Sequence, residues 1–167
     1  MKRKSTTGAL CVTRGALVAA LYVALTYLAS MLGLSSGVIQ FRISEALCIL
    51  PVFFPEAIVG LFVGCIISNI VVVSGAVPLD IVFGSIATLI GAVGAYLLRK
   101  LPNKLSFLAT LPTVISNAII VPLVLIFAYG ATEGYPFLMI TVGIGEIVCA
   151  GIGGTLLYFA VKKSRLF

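Results

Sequence analysis

The chain has 167 residues, 61% of them apolar and 10% charged, with a mean hydropathy of +1.25. A soluble domain carries about 25% charged residues, so this composition excludes a water-facing surface and predicts an all-α integral membrane protein: one domain, about six spans of ~20 residues. The net charge of +6 does not indicate nucleic acid, because the basic residues fall mainly in three short clusters flanking apolar runs, where topology signals belong.

Residues 1–14 read as a basic cytoplasmic tail containing Lys2, Arg3, Lys4 and Arg14. This start imitates a signal peptide, but its apolar run from Ala16 to about Leu34 is long and has no clear cleavage site, so a retained first helix is expected over 15–32. A Gly/Ser loop leads through Gln40 and Arg42 into a second helix over 43–54, short for a span and ended by Pro51 and Pro55. The third helix covers 56–73, and the turn Ser74-Gly75-Ala76-Val77-Pro78 follows. The fourth, over 80–98, opens at Asp80, a suitable acid for a helix N-terminus. After the basic loop Arg99–Lys104 comes a fifth helix over 106–128, with Pro112 and Pro122 as expected kinks. Beyond a loop holding Gly130, Glu133 and Gly134, the sixth helix extends over 136–161.

With both termini in the cytoplasm of a multi-pass cell-membrane protein, ten of the eleven basic residues lie inside and only Arg42 outside. The reverse orientation breaks the positive-inside rule almost completely. Counting depth from that topology brings the polar residues together. Arg42, Glu45, Asn69 and Asp80 fall near the outer ends of their helices, with Ser85 and Thr88 one and two turns below Asp80. Asn117 and Glu146 each lie roughly 15 Å deep at about 1.5 Å per residue. Charged groups cost about 2.5–3.5 kcal/mol or more at mid-membrane, so they usually face a cavity and mark a site. Five helices thus point to an outward-open pocket, with Glu56 alone among the carboxylates near the cytoplasmic face.

Each residue also has a structural reading. Asp80 can cap its helix, Arg42 and Glu45 can form a surface ion pair, and Asn117 can be interhelical glue. Glu146 is hardest to explain without a ligand, because a mid-membrane carboxylate needs a partner. Gly143 and Gly145 beside it suit either ligand approach or helix packing. Ala16, Ala20 and Ala24 form a small-residue stripe, and Gly60 and Gly64 a GxxxG, which permit close helix contact. The four cysteines lack paired spacing and read as small buried hydrophobes, and with no histidine a metal or cofactor is not expected. No phosphate-binding loop, nucleophile motif or HExxH is present, and no convincing inverted repeat. These features fit a non-enzymatic binding subunit that borrows energy from other proteins.

The segment FRISEALCILPVFFPEAIVGLFVGCIISN (41–69) resembles the QueT family of predicted queuosine-precursor transporters, which are substrate-binding S components of energy-coupling factor (ECF) importers. The resemblance continues through LDIVFGSIATLIGA (79–92), SNAIIVP (116–122) and TVGIGEIV (141–148). It implies a six-helix S-component fold, partnership with a transmembrane coupling subunit and two ATPases, and a lid formed by residues 33–42. It also implies a 7-deazaguanine ligand: queuine or its aminomethyl or cyano precursor (preQ1 or preQ0). The Ala16/Ala20/Ala24 stripe looks like the alanine motif that docks on the coupling subunit. The guanine-like edge suits Glu146, which can accept adjacent N–H donors bidentately, while Asn117 donates to the ring carbonyl. Asp80 or Glu45 is a weaker candidate for an aminomethyl cation; Arg42, Asn69 and Thr88 join the candidate pocket, and Phe83, Tyr129 or Tyr135 can stack on the base. Alternative readings are an S component for another heterocyclic vitamin, a non-transport membrane scaffold and, least favoured, a membrane enzyme.

Overall fold

The computed structural model describes residues 2–34, 41–72 and 77–164, and every regular element among them is helical. The elements are α1 (Lys2–Met31), a 3₁₀ helix (Ile43–Val52), α2 (Ala57–Val71), α3 (Pro78–Leu97), a second 3₁₀ helix (Asn103–Thr110) and α4 (Leu111–Tyr129). The last rod runs from α5 (Tyr135–Glu146) through a π-helix (Ile147–Gly153) into α6 (Gly154–Ser164). Four stretches are long and apolar enough to cross a membrane: Gly8–Met31, Pro78–Leu97, Leu105–Tyr129 and Tyr135–Ser164. Ile43–Val52 and Ala57–Val71 are shorter apolar helices.

The local structure departs from the sequence expectations at four places, each with a physical cause. The first helix begins at Lys2 rather than near Gly15, since the basic tail contains no proline and its lysines and arginines are good helix formers. The segment expected as a second α-helix is 3₁₀, with Pro51 inside it. Its rise of about 2.0 Å per residue lets ten residues reach roughly 20 Å, more than an α-helix of that length. Pro112 does not kink a helix; it lies in the first turn of α4, where its missing N–H would have had no partner. The sixth helix contains the π segment. Val142, Glu146, Ala150, Gly154 and Tyr158 are all buried at steps of four residues. Such steps drift about 40° each around an α-helix, and the wider π turn absorbs part of that drift and holds the stripe on one face.

Burial is inverted relative to a water-soluble bundle. Leu17, Leu21, Val59, Ile70, Phe127 and Leu156 are exposed, whereas Glu45, Asn69, Thr88, Asn117 and Glu146 are buried. The core joins α1, the first 3₁₀ helix, α2 and α3 through Tyr22, Leu47, Cys48, Leu61, Cys65 and Ala92. The Gly60/Gly64 pair serves this internal packing: a Cβ on Gly60 would lie 2.4 Å from the Gly15 carbonyl oxygen, and one on Gly64 would lie 2.9 Å from Tyr22 Cβ. Next to Gly15 in the middle of α1, Arg14 pairs with Glu56 at 3.3 Å.

Candidate functional site

The buried polar residues separate into an outer cluster, a saturated carboxylate and an unsaturated pair. The outer cluster gathers around Gly84 on α3. A Cβ there would lie 3.2 Å from Asp80 Oδ1, 3.3 Å from Asn69 Nδ2 and 3.9 Å from Arg42 Nη1, so glycine lets these side chains close over the helix. Arg42 donates to Asn69 Oδ1 at 3.3 Å, and Asn69 Nδ2 donates to the Asp80 carbonyl at 3.5 Å. Tyr129, the last residue of α4, donates to Asp80 Oδ2 at 2.8 Å. Asp80 is therefore not a helix cap; α3 has no side-chain cap, and this carboxylate instead ties α3 to α4.

Glu45 lies at the centre of the second group and is 0% exposed. Its Oε1 accepts from the Tyr22 hydroxyl and from Thr88 Oγ1, the latter at 2.9 Å, and its Oε2 accepts from Cys48 Sγ at 3.2 Å. The alternative reading of Arg42 and Glu45 as a surface ion pair does not hold: Arg42 turns to Asn69, while Glu45 lies inward among three donors from α1, α3 and its own helix. The 3₁₀ winding sets this up, since residues three apart eclipse one another and place Glu45 beside Cys48. Cys48 is thus a hydrogen-bond donor as well as a small buried side chain. Thr88, expected in the pocket, belongs to this hub.

Glu146 and Asn117 form the third group. Glu146 ends α5, with its carboxylate beside the Asn117 amide of α4. Glu146 is 2% exposed and Asn117 0%. Yet Glu146 Oε2, Asn117 Oδ1 and Asn117 Nδ2 have no hydrogen-bond partner among the described residues. Ser85 and Thr113, also buried, carry unpartnered hydroxyls. An unpaired buried polar group costs about 1–3 kcal/mol, so a concentration of them in one interior marks capacity left for something else. This pair can offer acceptors and a donor to a flat polar ligand.

Some predicted residues stand apart from these groups. Phe83 is exposed on the outer surface of α3. Tyr135 is half-buried and donates to the Ile119 carbonyl at 3.2 Å, and Tyr129 is held by Asp80. Ala16, Ala20 and Ala24 are exposed, opposite the buried face Val18, Tyr22, Thr26 and Ala29. Of the lid segment 33–42, residues 35–40 lie outside the described residues. Sequence reasoning missed Tyr22, Cys48 and Thr113. The four-residue spacing of Val18, Tyr22 and Thr26 was an available signal for Tyr22, since it defines a second, polar face on α1.

A deep polar interior in an apolar bundle is the arrangement of a membrane carrier or receptor, and comparison with known proteins narrows the choice. The family profile described as QueT transporter matches residues 12–163. The chain belongs to the QueT transporter family. The members of that family are described as transporters. One relative, the queuosine precursor transporter QueT of Lactococcus lactis subsp. cremoris (strain MG1363), is 39% identical over 75 residues. That stretch is 45% of this chain and 43% of the relative, so less than half the relative's length is matched. No solved structure matches the chain. Both carboxylate groups fall within the region matched to the QueT family, with Glu45 near its start and Glu146 near its end.

Proposed function

We propose that this chain is the substrate-binding S component of an ECF importer, capturing a queuosine precursor from outside the cell. The ligand is a 7-deazaguanine: queuine, preQ1 or preQ0. The observation that carries this reading is the unfilled hydrogen-bonding capacity of Glu146 and Asn117 deep in the bundle. Family membership and the name of the Lactococcus relative support the choice of ligand. In this reading Glu146 accepts the adjacent N–H donors of the base edge, and Asn117 Nδ2 donates to the ring carbonyl. Asp80 and Arg42, joined through Asn69, lie at the mouth, where Asp80 suits an aminomethyl cation. Glu45 acts by holding α1, the 3₁₀ helix and α3 together beneath that mouth. Residues 33–42 form the lid, both termini are cytoplasmic, and a transmembrane coupling subunit with two ATPases supplies the energy. The exposed Ala16/Ala20/Ala24 stripe is the docking surface for the coupling subunit.

Titration of the purified protein with queuine, preQ1 and preQ0 tests the reading directly. Binding of at least one is expected, and Glu146→Gln should weaken it about 10-fold or more, because a carboxylate accepting two N–H bonds becomes an amide that can accept through only one oxygen. If all three fail to bind while a flavin or thiamine binds, the ligand assignment is wrong. Full affinity in Glu146→Gln would remove that residue from the site.

A further inference from the structure

Thr113 differs from the helical threonines at positions 13, 26, 88, 110, 141 and 155. Thr13 donates to the Ala9 carbonyl, Thr26 to Tyr22, Thr110 to Phe107, Thr141 to Leu138 and Thr155 to Gly151. Thr88 donates to Glu45. This is the default for a hydroxyl in an apolar helix, where the preceding turn offers a ready acceptor. Thr113 is 1% exposed and its Oγ1 has no partner among the described residues. Its neighbour Ser116 takes up both the Ala87 and the Thr113 carbonyls. Gly91 on α3 packs against this side chain: a Cβ there would lie 2.6 Å from the hydroxyl oxygen, so glycine is what lets α3 accommodate Thr113 itself.

Thr113 and Asn117 are four residues apart on α4 and share a face, with side chains about 5–6 Å apart at Cβ. Two buried side chains with unused polar atoms therefore stand one above the other on α4, with Glu146 of α5 beside the upper one. We propose that Thr113 is a specificity-determining residue that accepts a hydrogen bond from the exocyclic 2-amino group of the bound base. The inference rests on the 7-deazaguanine reading given above. The polar edge of the base then lies along α4, with its carbonyl at Asn117 and its amine toward Thr113. Glu146 takes the ring N–H and one amine hydrogen, and Thr113 Oγ1 takes the other. Each donor of the edge has one acceptor, and the orphaned hydroxyl gains its partner only when the ligand is bound.

The test compares 7-cyano-7-deazaguanine with its analogue lacking the amine, 7-cyano-7-deazahypoxanthine, on purified wild-type protein, Thr113→Val and Thr113→Ser. Wild type should prefer the amine-bearing base. Thr113→Val, nearly isosteric, should lower affinity for that base about 3- to 10-fold while leaving the analogue unchanged, and Thr113→Ser should keep the wild-type preference. The melting temperature of Thr113→Val without ligand should not fall, because the change removes a hydroxyl that has no partner. An unchanged preference in Thr113→Val overturns the assignment, as does an equal loss for both bases, which would indicate an effect on pocket shape or on a held water. If Thr113→Val does not fold, loss of the preference in Thr113→Ser overturns it instead. Failure of the wild type to bind any 7-deazaguanine refutes the functional reading itself, a result separate from those concerning Thr113.

Discussion

Glu45 and Glu146 are the same side chain at similar burial, and their surroundings give them different work. Three donors surround Glu45, and removing the carboxylate would strand them inside the bundle. Glu45→Ala is therefore expected to lower stability by about 3 kcal/mol, read as a fall in melting temperature in detergent, with ligand absent. Glu146 holds unpaired capacity, and its substitution should register in ligand affinity far more than in stability. Depth counting from the charge pattern was enough to single out Glu146 and Asn117, because a carboxylate ten residues into an apolar span has few innocent explanations. It could not separate Glu45 from a surface residue. That distinction depends on Tyr22 and Thr88, which lie 23 and 43 residues away along the chain and look ordinary within their helices. Thr113 was hidden for the same reason: a threonine in an apolar helix is unremarked until its hydrogen bond proves to be missing.

The helices themselves were legible because each apolar run, the two short ones included, is bounded by charge, proline or glycine. Their internal winding was not. A 3₁₀ helix and a π-helix are set by tertiary packing around Pro51 and around the glycines of the last rod, and neither produces a distinct apolar period over so few residues. The Gly60/Gly64 pair signalled only a close helix contact, and its approach to Gly15 and Tyr22 identifies that contact as packing within the chain. Gly60→Ala should consequently cost about 1–3 kcal/mol, since the new methyl meets α1 backbone that cannot swing aside. Thermal unfolding of the variant in detergent checks this, and a melting temperature equal to wild type would show that α1 yields more easily than the packing implies.

At the scale of the whole molecule, α1 has two differently used faces. One is built into the core through Val18 and Tyr22, while Ala16, Ala20 and Ala24 look outward. If the outward stripe is the docking surface, a triple Ala→Leu change at these positions should leave precursor affinity and melting temperature within error of wild type. The same variant should no longer co-purify with a co-expressed coupling subunit and ATPases. Equal recovery of the complex would place the docking surface elsewhere. The composition was sufficient to indicate a membrane bundle, and the charge asymmetry gave the orientation expected for it, but only the packing separates a face that holds α1 in place from one that looks outward.

The π-helical turn has a consequence for how this chain can vary over generations. Glu146 and Gly154 are eight positions apart and both buried. Loss of one residue between them would leave seven, which is about two α-helical turns, so a regular helix would present both on a common side. The intervening turn is thus equivalent to a single-residue insertion that the helix accommodates locally. Descendants that have lost it should differ in length here by one while keeping the carboxylate and the glycine, so an ungapped alignment would shift every position on one side of the turn out of correspondence.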